Sequence, residues 1–325
     1  MSNDCCNERP NFGHPACIED LGGVSRFIFV GTPNSNTSSF FLGPTASDYS
    51  TVIEYMTDFP EANKWRPFPE VQNFVWTPAE SQFEDASNGK KSFIKNGKIS
   101  IACETWDGDA TAKMVAKMVA LRCATWGVFL VTDSNRLVGS VKGDYVHPIA
   151  IDAQSIEALF QFKTDATTQK IMFNFDLARN FDVSTLYAID GDLIWDATAE
   201  AIVPIDFNND LPNVIDCQIT KSGAFSTTGG QLIVNDDYRQ GTRNVAGGDA
   251  LGNVTGLTIA NFLVQNLTDA TVVTVTSVSE TLTGNYAFTL PAQTANDILK
   301  ISIKIPTQTI LNGQVIYQGS LTVTV

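Results

Sequence analysis

The chain has 325 residues, 43% of them apolar and 17% charged. That is long enough for two domains with full cores, and it holds enough Phe, Ile, Val and Leu to offset chain entropy, which excludes disorder. The net charge of −14 is uneven: residues 1–217 carry 29 acidic and 16 basic side chains, residues 218–325 only six and five. No basic stripe is present to displace counterions, which excludes ordinary nucleic-acid binding. The acidity either keeps the chain soluble or repels a passing polyanion.

Residues 1–24, with Pro10, Pro15 and Gly22-Gly23, read as an irregular arm. Their start, MSNDCC, is polar and lacks the apolar core of a signal peptide. No run reaches the roughly eighteen apolar residues of a membrane span. The expected product is therefore soluble and made in a cytoplasm. Ser25–Gly31 (SRFIFVG) reads as a strand buried on both faces, and residues 32–48 as a loop. Ser50–Thr57 alternates and reads as a strand. Residues 58–78 are an aromatic excursion holding Phe59, Trp65, Phe68, Phe74 and Trp76. Prolines at 60, 67, 69 and 78 deny it a long helix or a central strand. These five aromatics are candidate interface anchors for a neighbouring copy, or a satellite core under a long loop.

Ser81–Ala86 and Lys91–Lys95 flank an Asn88-Gly89 turn, and Asn96-Gly97 leads into Lys98–Thr105 (KISIACET). These read as two connected hairpins. An amphipathic helix is expected at about residues 109–125, with Asp107 or Asp109 as its cap. Met114, Val115, Met118, Val119 and Leu121 share one side, and Lys113, Lys117 and Arg122 the other. Gly127–Thr132 and Arg136–Val141 make a hairpin about Asp133-Ser134-Asn135. Val146–Ile151 is a short strand interrupted by Pro148. Ser155–Lys163 and Lys170–Leu177 are the strongest strands, with Phe173 and Phe175 on one face and Phe160 and Phe162 on another. Residues 178–213 hold short strands, such as Thr185–Ile189 and Asp192–Trp195, among acidic loops.

A second domain is expected over residues 214–325. Its candidate strands are Val214–Thr220, Gln231–Asn235, Leu257–Asn266, Thr271–Ser277, Asn285–Leu290, Lys300–Pro306 and Gln314–Val325. Turn residues separate them at intervals that suit a β-sandwich. Residues 236–256 read as a Gly-rich loop or an edge insertion.

The residues offer little chemistry. Cys5, Cys6 and Cys17 sit near His14, but adjacent cysteines without C-x-x-C make a poor zinc set. Cys103 and Cys123 read as buried small hydrophobes. His147 has no neighbouring nucleophile signature. Gly229-Gly230 and Gly247-Gly248 lack the helix that a phosphate cradle needs. Asp190, Asp192, Asp196, Asp206 and Asp210 are plentiful oxygens, yet Asp190-Gly191-Asp192 does not complete a calcium loop. No catalytic residue, metal or cofactor is expected.

The order of elements over about residues 81–180 resembles the tail tube proteins of tailed phages and related injection machines. The stretches that carry it are GKISIACETW, DGDATAKMVAKMVALRCATWG, VFLVTDSNRLVGSVKG and SIEALFQFKTDATTQKIMFNFDL. The resemblance implies a mainly β fold, a sandwich or half-barrel over residues 25–213 with one flanking helix. It implies self-association into hexameric rings through neighbouring sheets, stacked by loops and terminal arms. It also implies other tail proteins at the tube ends, DNA passing through the lumen without specific binding, no membrane partner, and a place in the virion tail after synthesis in a bacterial host's cytoplasm. Residues 214–325 look like the immunoglobulin-like domains that some tube proteins display. From the residues alone, a capsid decoration or carbohydrate-binding virion protein and a carboxylate-based glycosidase stay open as alternatives.

Overall fold

The computed structural model describes residues 22–31, 40–41, 52, 65–78, 80–85, 91–95, 97–106, 112–196, 199–211, 213–236, 253–303 and 315–325. The described residues are mainly β, in several sheets, with no closed barrel among them. The strands of the first part are β1 (Val24–Val30), β2 (Phe40–Phe41), β3 (Trp65–Pro67), β4 (Gln72–Pro78), β5 (Gln82–Asp85), β6 (Lys91–Lys95) and β7 (Ile99–Trp106). Helix α1 (Ala112–Ala120) follows. Then come β8 (Gly127–Thr132), β9 (Arg136–Lys142), β10 (Tyr145–His147), β11 (Ile149–Gln161), β12 (Lys170–Leu177), β13 (Leu186–Asp190), β14 (Trp195–Asp196) and β15 (Ala201–Ile202).

Eleven of these strands form one folded-over sheet whose main path runs β2-β10-β9-β8-β11-β12-β7-β4. Its hinge is β11. Ile149 and Ala150 pair with β8, and after a register break between Asp152 and Glu157 the rest of the strand pairs with β12 alone. The sheet thus folds into two layers around a shared core. Phe27 and Phe29 of β1 meet Phe175 and Phe173 of β12 at centroid distances of 5.7 and 6.1 Å. Met114 and Met118 of α1 enter the same core, with Val115 and Leu121 partly buried against it. The helical stripe therefore faces inward, as its spacing dictates.

A second core lies behind β1 and β8. Ile28, Val30, Phe129 and Val131 point into it, against Trp65, Val52, Ile189, Ile205 and Phe207. Both faces of β1 and β8 are consequently buried, which is why FIFV and VFLV read as continuous apolar runs instead of alternating ones.

The remaining strands are β16 (Asn213–Lys221), β17 (Gly229–Asp236), β18 (Phe262–Asn266), β19 (Thr271–Val273), β20 (Ser277–Leu282), β21 (Asn285–Thr289), β22 (Ile298–Ile303) and β23 (Val315–Thr324). One face-to-face half is β16-β17-β21-β20, the other β23-β22-β18-β19. The halves join where the first residues of β16 run parallel to those of β23. Phe262 packs edge-on to Phe288 across the core at 4.5 Å. Gly229 must be glycine: its φ is +134°, and a Cβ there would lie 2.0 Å from the Phe288 carbonyl oxygen. Tyr286 is fully buried, and its hydroxyl donates to the Val254 carbonyl at 2.8 Å and accepts from the Leu257 N–H at 3.2 Å. Tyr286→Phe strands both backbone groups, so urea unfolding of this core should show a loss of about 2 kcal/mol.

Several expected elements differ. The second hairpin does not form: β6 pairs with β5, while β7 pairs with β4 and β12. Val146–Ile151 is divided, because Pro148 ends β10 and Ile149 opens the long β11. Asp192 lies in a 3-10 turn, Gly191–Leu193, with its N–H bonded to the Asp190 carboxylate, so the strand here is only Trp195–Asp196. The expected strand Leu257–Asn266 begins at Phe262, since Thr258 and Asn261 cap a 3-10 turn before it. Thr271–Ser277 divides into β19 and the start of β20. Val52 is helical and buried in the second core, and the rest of the strand expected at 50–57 lies outside the described residues. Helix α1 continues as a 3-10 turn to Cys123, and its expected caps lie outside the described residues. The same holds for residues 1–21, which include Cys5, Cys6, His14 and Cys17.

Candidate assembly face and acidic cavity

Strands β11, β12, β7 and β4 make a four-stranded antiparallel layer with one face on the first core. The inward residues are Ile156 and Ala158, Ile171, Phe173 and Phe175, Ile101 and Cys103, with Phe74 and Trp76 of β4 packed at the margin. Pleating sends the alternate residues to the opposite face, which no described element covers. Across it, register aligns Leu159, Met172, Glu104 and Gln72 in one row, and Glu157, Asn174, Ala102 and Val75 in the next. Val75 is 51% exposed, Leu159 48% and Trp106 40%. Among the described residues no strand pairs with the outer side of β4 or with β11 on its outer side beyond Ala150. Helix α1 and its 3-10 turn pack against β11, where Arg122 Nε donates to the Ile156 carbonyl at 2.6 Å and Gln154 Nε2 to the Arg122 carbonyl at 2.8 Å.

Two polar clusters punctuate this face. Glu104 accepts from Lys170 Nζ at 2.6 Å, from Trp106 Nε1 at 2.9 Å and from Asn73 Nδ2 at 2.9 Å. Partial burial pushes its pKa up, but these three donors outweigh burial and hold it below the usual carboxylate range. Lys98 Nζ lies 3.0 Å from Asp176 and 3.2 Å from Asp152, and Ser100 Oγ donates to Asp176 at 2.6 Å. Burial again opposes ionisation of Asp176, and the Ser100 and Lys98 bonds overcome it, so its pKa is lowered. The same bonds from Asp176 and Asp152 raise that of Lys98.

A depressed folded pKa contributes stability that is complete above the unfolded value, about 4, and is lost as pH falls through the folded value. Asp176→Asn should therefore flatten the loss of thermal stability below about pH 4, compared with the parent chain. Between pH 5 and 8 the two melting curves should run parallel. A melting series across pH 2–8 reads this directly.

The five aromatic anchors occupy different positions. Trp65 has no accessible surface and packs on Phe129 at 4.9 Å, and Phe68 is buried against Phe29 and Phe173. This corrects the interface expectation for those two: their apolar area is already spent inside the chain. Phe74 and Trp76 are half-buried at the margin of β4, and Phe59 lies outside the described residues. The exposed apolar groups of this layer are instead Val75, Leu159, Trp106 and, at its end, Phe162, which is 74% exposed.

The acidic residues gather elsewhere. Asp192, Asp206 and Asp210, with Asp133, Glu70, Arg26 and Asn135, line a cavity of about 560 Å³. Asn135 organises it from a left-handed turn position. Its Nδ2 donates to Asp192 at 3.0 Å and to the Ile205 carbonyl at 2.9 Å, while its Oδ1 accepts from the Phe207 N–H at 2.7 Å. Asp206 accepts from the Asn208 and Asn209 N–H groups, and Asp210 from that of Asp206. Asp190 and Asp196 cap local turns. These carboxylates are engaged in holding loops, and among the described residues no group of three or more His, Cys, Asp or Glu has a metal-binding arrangement. His147 is buried in β10, and burial, with Lys142 nearby, lowers its pKa. Cys103 is buried and its thiol is pushed up to about 12 by burial and the neighbouring Glu104, whereas Cys123, expected inside, is exposed. Gly229 and Gly230 lie in β17, and Gly247-Gly248 fall outside the described residues.

No known protein family matches this sequence, and no curated protein does. Among the described residues no helix is long and apolar enough to cross a membrane. Glu104 and Asn135 were not legible as hubs in the sequence, because all their partners here except Trp106 come from strands or loops far along the chain, such as Asn73 and Lys170 for Glu104 and Ile205 and Phe207 for Asn135.

Proposed function

We propose that the chain is a structural virion protein, the ring-forming subunit of a phage or phage-like tail tube, carrying an outer immunoglobulin-like domain. The observation that supports this best is the four-stranded layer: one face lies on the core, and among the described residues no element covers the other and no strand pairs with the outer side of β4 or of β11 beyond Ala150. An open edge is a row of free N–H and C=O groups that another chain can pair with. Placing β4 of one copy against the second half of β11 in the next is a heterologous contact, and a heterologous contact that closes makes a ring. The uncovered faces then line the lumen, and α1 lies on the other side of the layer.

The second part supports the outer-domain reading. Taking β16 to β23 as A, B, C, C′, D, E, F and G, its halves are A-B-E-D and G-F-C-C′, with A switching to run parallel to G. That is the strand order of an immunoglobulin-type sandwich. The charge division agrees, since the acidic first region would surround DNA and the nearly neutral second would face outward. In this reading the partners are further copies, other tail proteins at the tube ends, and DNA that passes without being held. The site of action is the virion tail.

Mass photometry of the purified chain over a concentration series tests it. Species at six subunits and at multiples of six support the reading. Monomers persisting at the highest concentration remove it.

A further inference from the structure

We infer that Glu104, seconded by Asp152 and Asp176, withholds the two lysines of the uncovered face from the phosphates of duplex DNA, and so sets whether this surface holds or releases a polyanion. This rests on the proposed role of that face as a conduit wall.

The argument starts from the positions of the cations. Lys170 is on the central strand β12 and Lys98 directly precedes β7, so both stand where a polyanion moving along the face would meet them. A lysine ammonium on a flexible stem is an effective point contact for phosphate. Each one here is already engaged. Lys170 Nζ is 2.6 Å from Glu104, and that carboxylate is fixed in turn by Trp106 and Asn73. Lys98 is shared by two carboxylates from two other strands.

Magnitudes distinguish this from a stabilising role. Partly exposed pairs of this kind contribute about 0–1 kcal/mol to folding, so stability gives weak reason to fix Glu104 with three donors. Their electrostatic effect is larger in kind. Four carboxylates, Asp152, Glu157, Asp176 and Glu104, accompany two neutralised lysines, and the face presents no uncompensated ammonium among these groups. Phosphate affinity scales with the number of cations that can displace counterions. In a stacked assembly each lysine recurs in every copy, so one released ammonium becomes a repeated row.

The test uses the full chain with a duplex DNA probe and Glu104→Gln. Binding is measured by fluorescence anisotropy between 25 and 200 mM salt, while particle mass is read separately by mass photometry. The parent chain should show no saturable binding. Glu104→Gln should show saturable binding at 25 mM salt, with half-saturation at least tenfold below the highest chain concentration at which the parent shows none, and with affinity that falls as salt rises. Glu104→Gln combined with Lys170→Gln should return to the parent value, and Asp152→Asn with Asp176→Asn should reproduce the gain through Lys98. Circular dichroism confirms that each variant is folded.

If rings form and Glu104→Gln gains no affinity, the inference fails while the tube reading stands. A gain that persists in the double variant also overturns it, because lost negative charge, not a freed lysine, would then be the cause. If no rings form, the tube reading falls, and the salt-dependent gain or its absence still decides the role of Glu104.

Discussion

Phe173→Ala is expected to lower the unfolding free energy of the first part by about 4 kcal/mol. Phe173 is fully buried at the centre of the first core and touches Phe29, Phe68 and Phe175, at centroid distances of 6.1, 5.5 and 5.4 Å. With Phe27 and Phe29 of β1, which also meet Phe68, it joins the two layers of the folded-over sheet to the aromatic segment of residues 65–78. Truncation leaves a cavity ringed by other aromatic rings on rigid strands, which relax little into it. The core around Phe262 and Tyr286 shares none of its buried residues with this one, so the expected denaturation curve has two steps, of which only one moves. Equilibrium urea unfolding followed separately by tryptophan emission and circular dichroism measures this. All five tryptophans precede residue 217, and emission therefore reports the first part. An unchanged emission midpoint would show that Phe173 does not bridge the layers.

Val75→Lys and Leu159→Lys should each reduce ring formation at least tenfold without unfolding the chain. Both side chains are about half exposed, one on each edge strand of the four-stranded layer. A lysine on an edge strand adds a charge that must be desolvated when another strand pairs there, the device by which natural sheets blunt their edges. The monomer tolerates the change because the new ammonium stays in water. The control is Val272→Lys, which alters a more exposed valine on β19 of the second part and should leave assembly unchanged. Sedimentation velocity at matched concentration separates these outcomes. Parent-like assembly in both edge variants would mean that copies meet through some other surface.

The strands that were legible in the sequence share a physical cause. β7, β12, β17 and β21 each have one buried face and so alternate, while β1 and β8 are buried on both faces and run continuously apolar. β20 was missed because SVSETL is almost wholly exposed, and an edge strand with two solvated faces carries no apolar period. The split of Val146–Ile151 turned on Pro148, which ends one strand while leaving the next free to run for 13 residues. Trp65 and Phe68 were ambiguous because a proline-punctuated segment has no periodicity to assign inside from outside. Only the arrival of Phe129 and Phe173 from distant strands fixes them as core. The same holds for the polar hubs. Glu104 reads as one more acidic residue until register places Lys170 beside it, and Asn135 reads as a turn former until residues 191–207 fold back over its side chain. Composition revealed the division of charge, but pairing decides which charges are already cancelled.

The central claim is that the edges of β4 and β11 are completed by further copies of the same chain. Electron cryomicroscopy of the concentrated protein tests it most directly. The account predicts closed six-fold rings, or stacks of them, in which β4 of each subunit continues the sheet of its neighbour's β11. A particle population of single chains, or rings in which both edges face solvent, would contradict it.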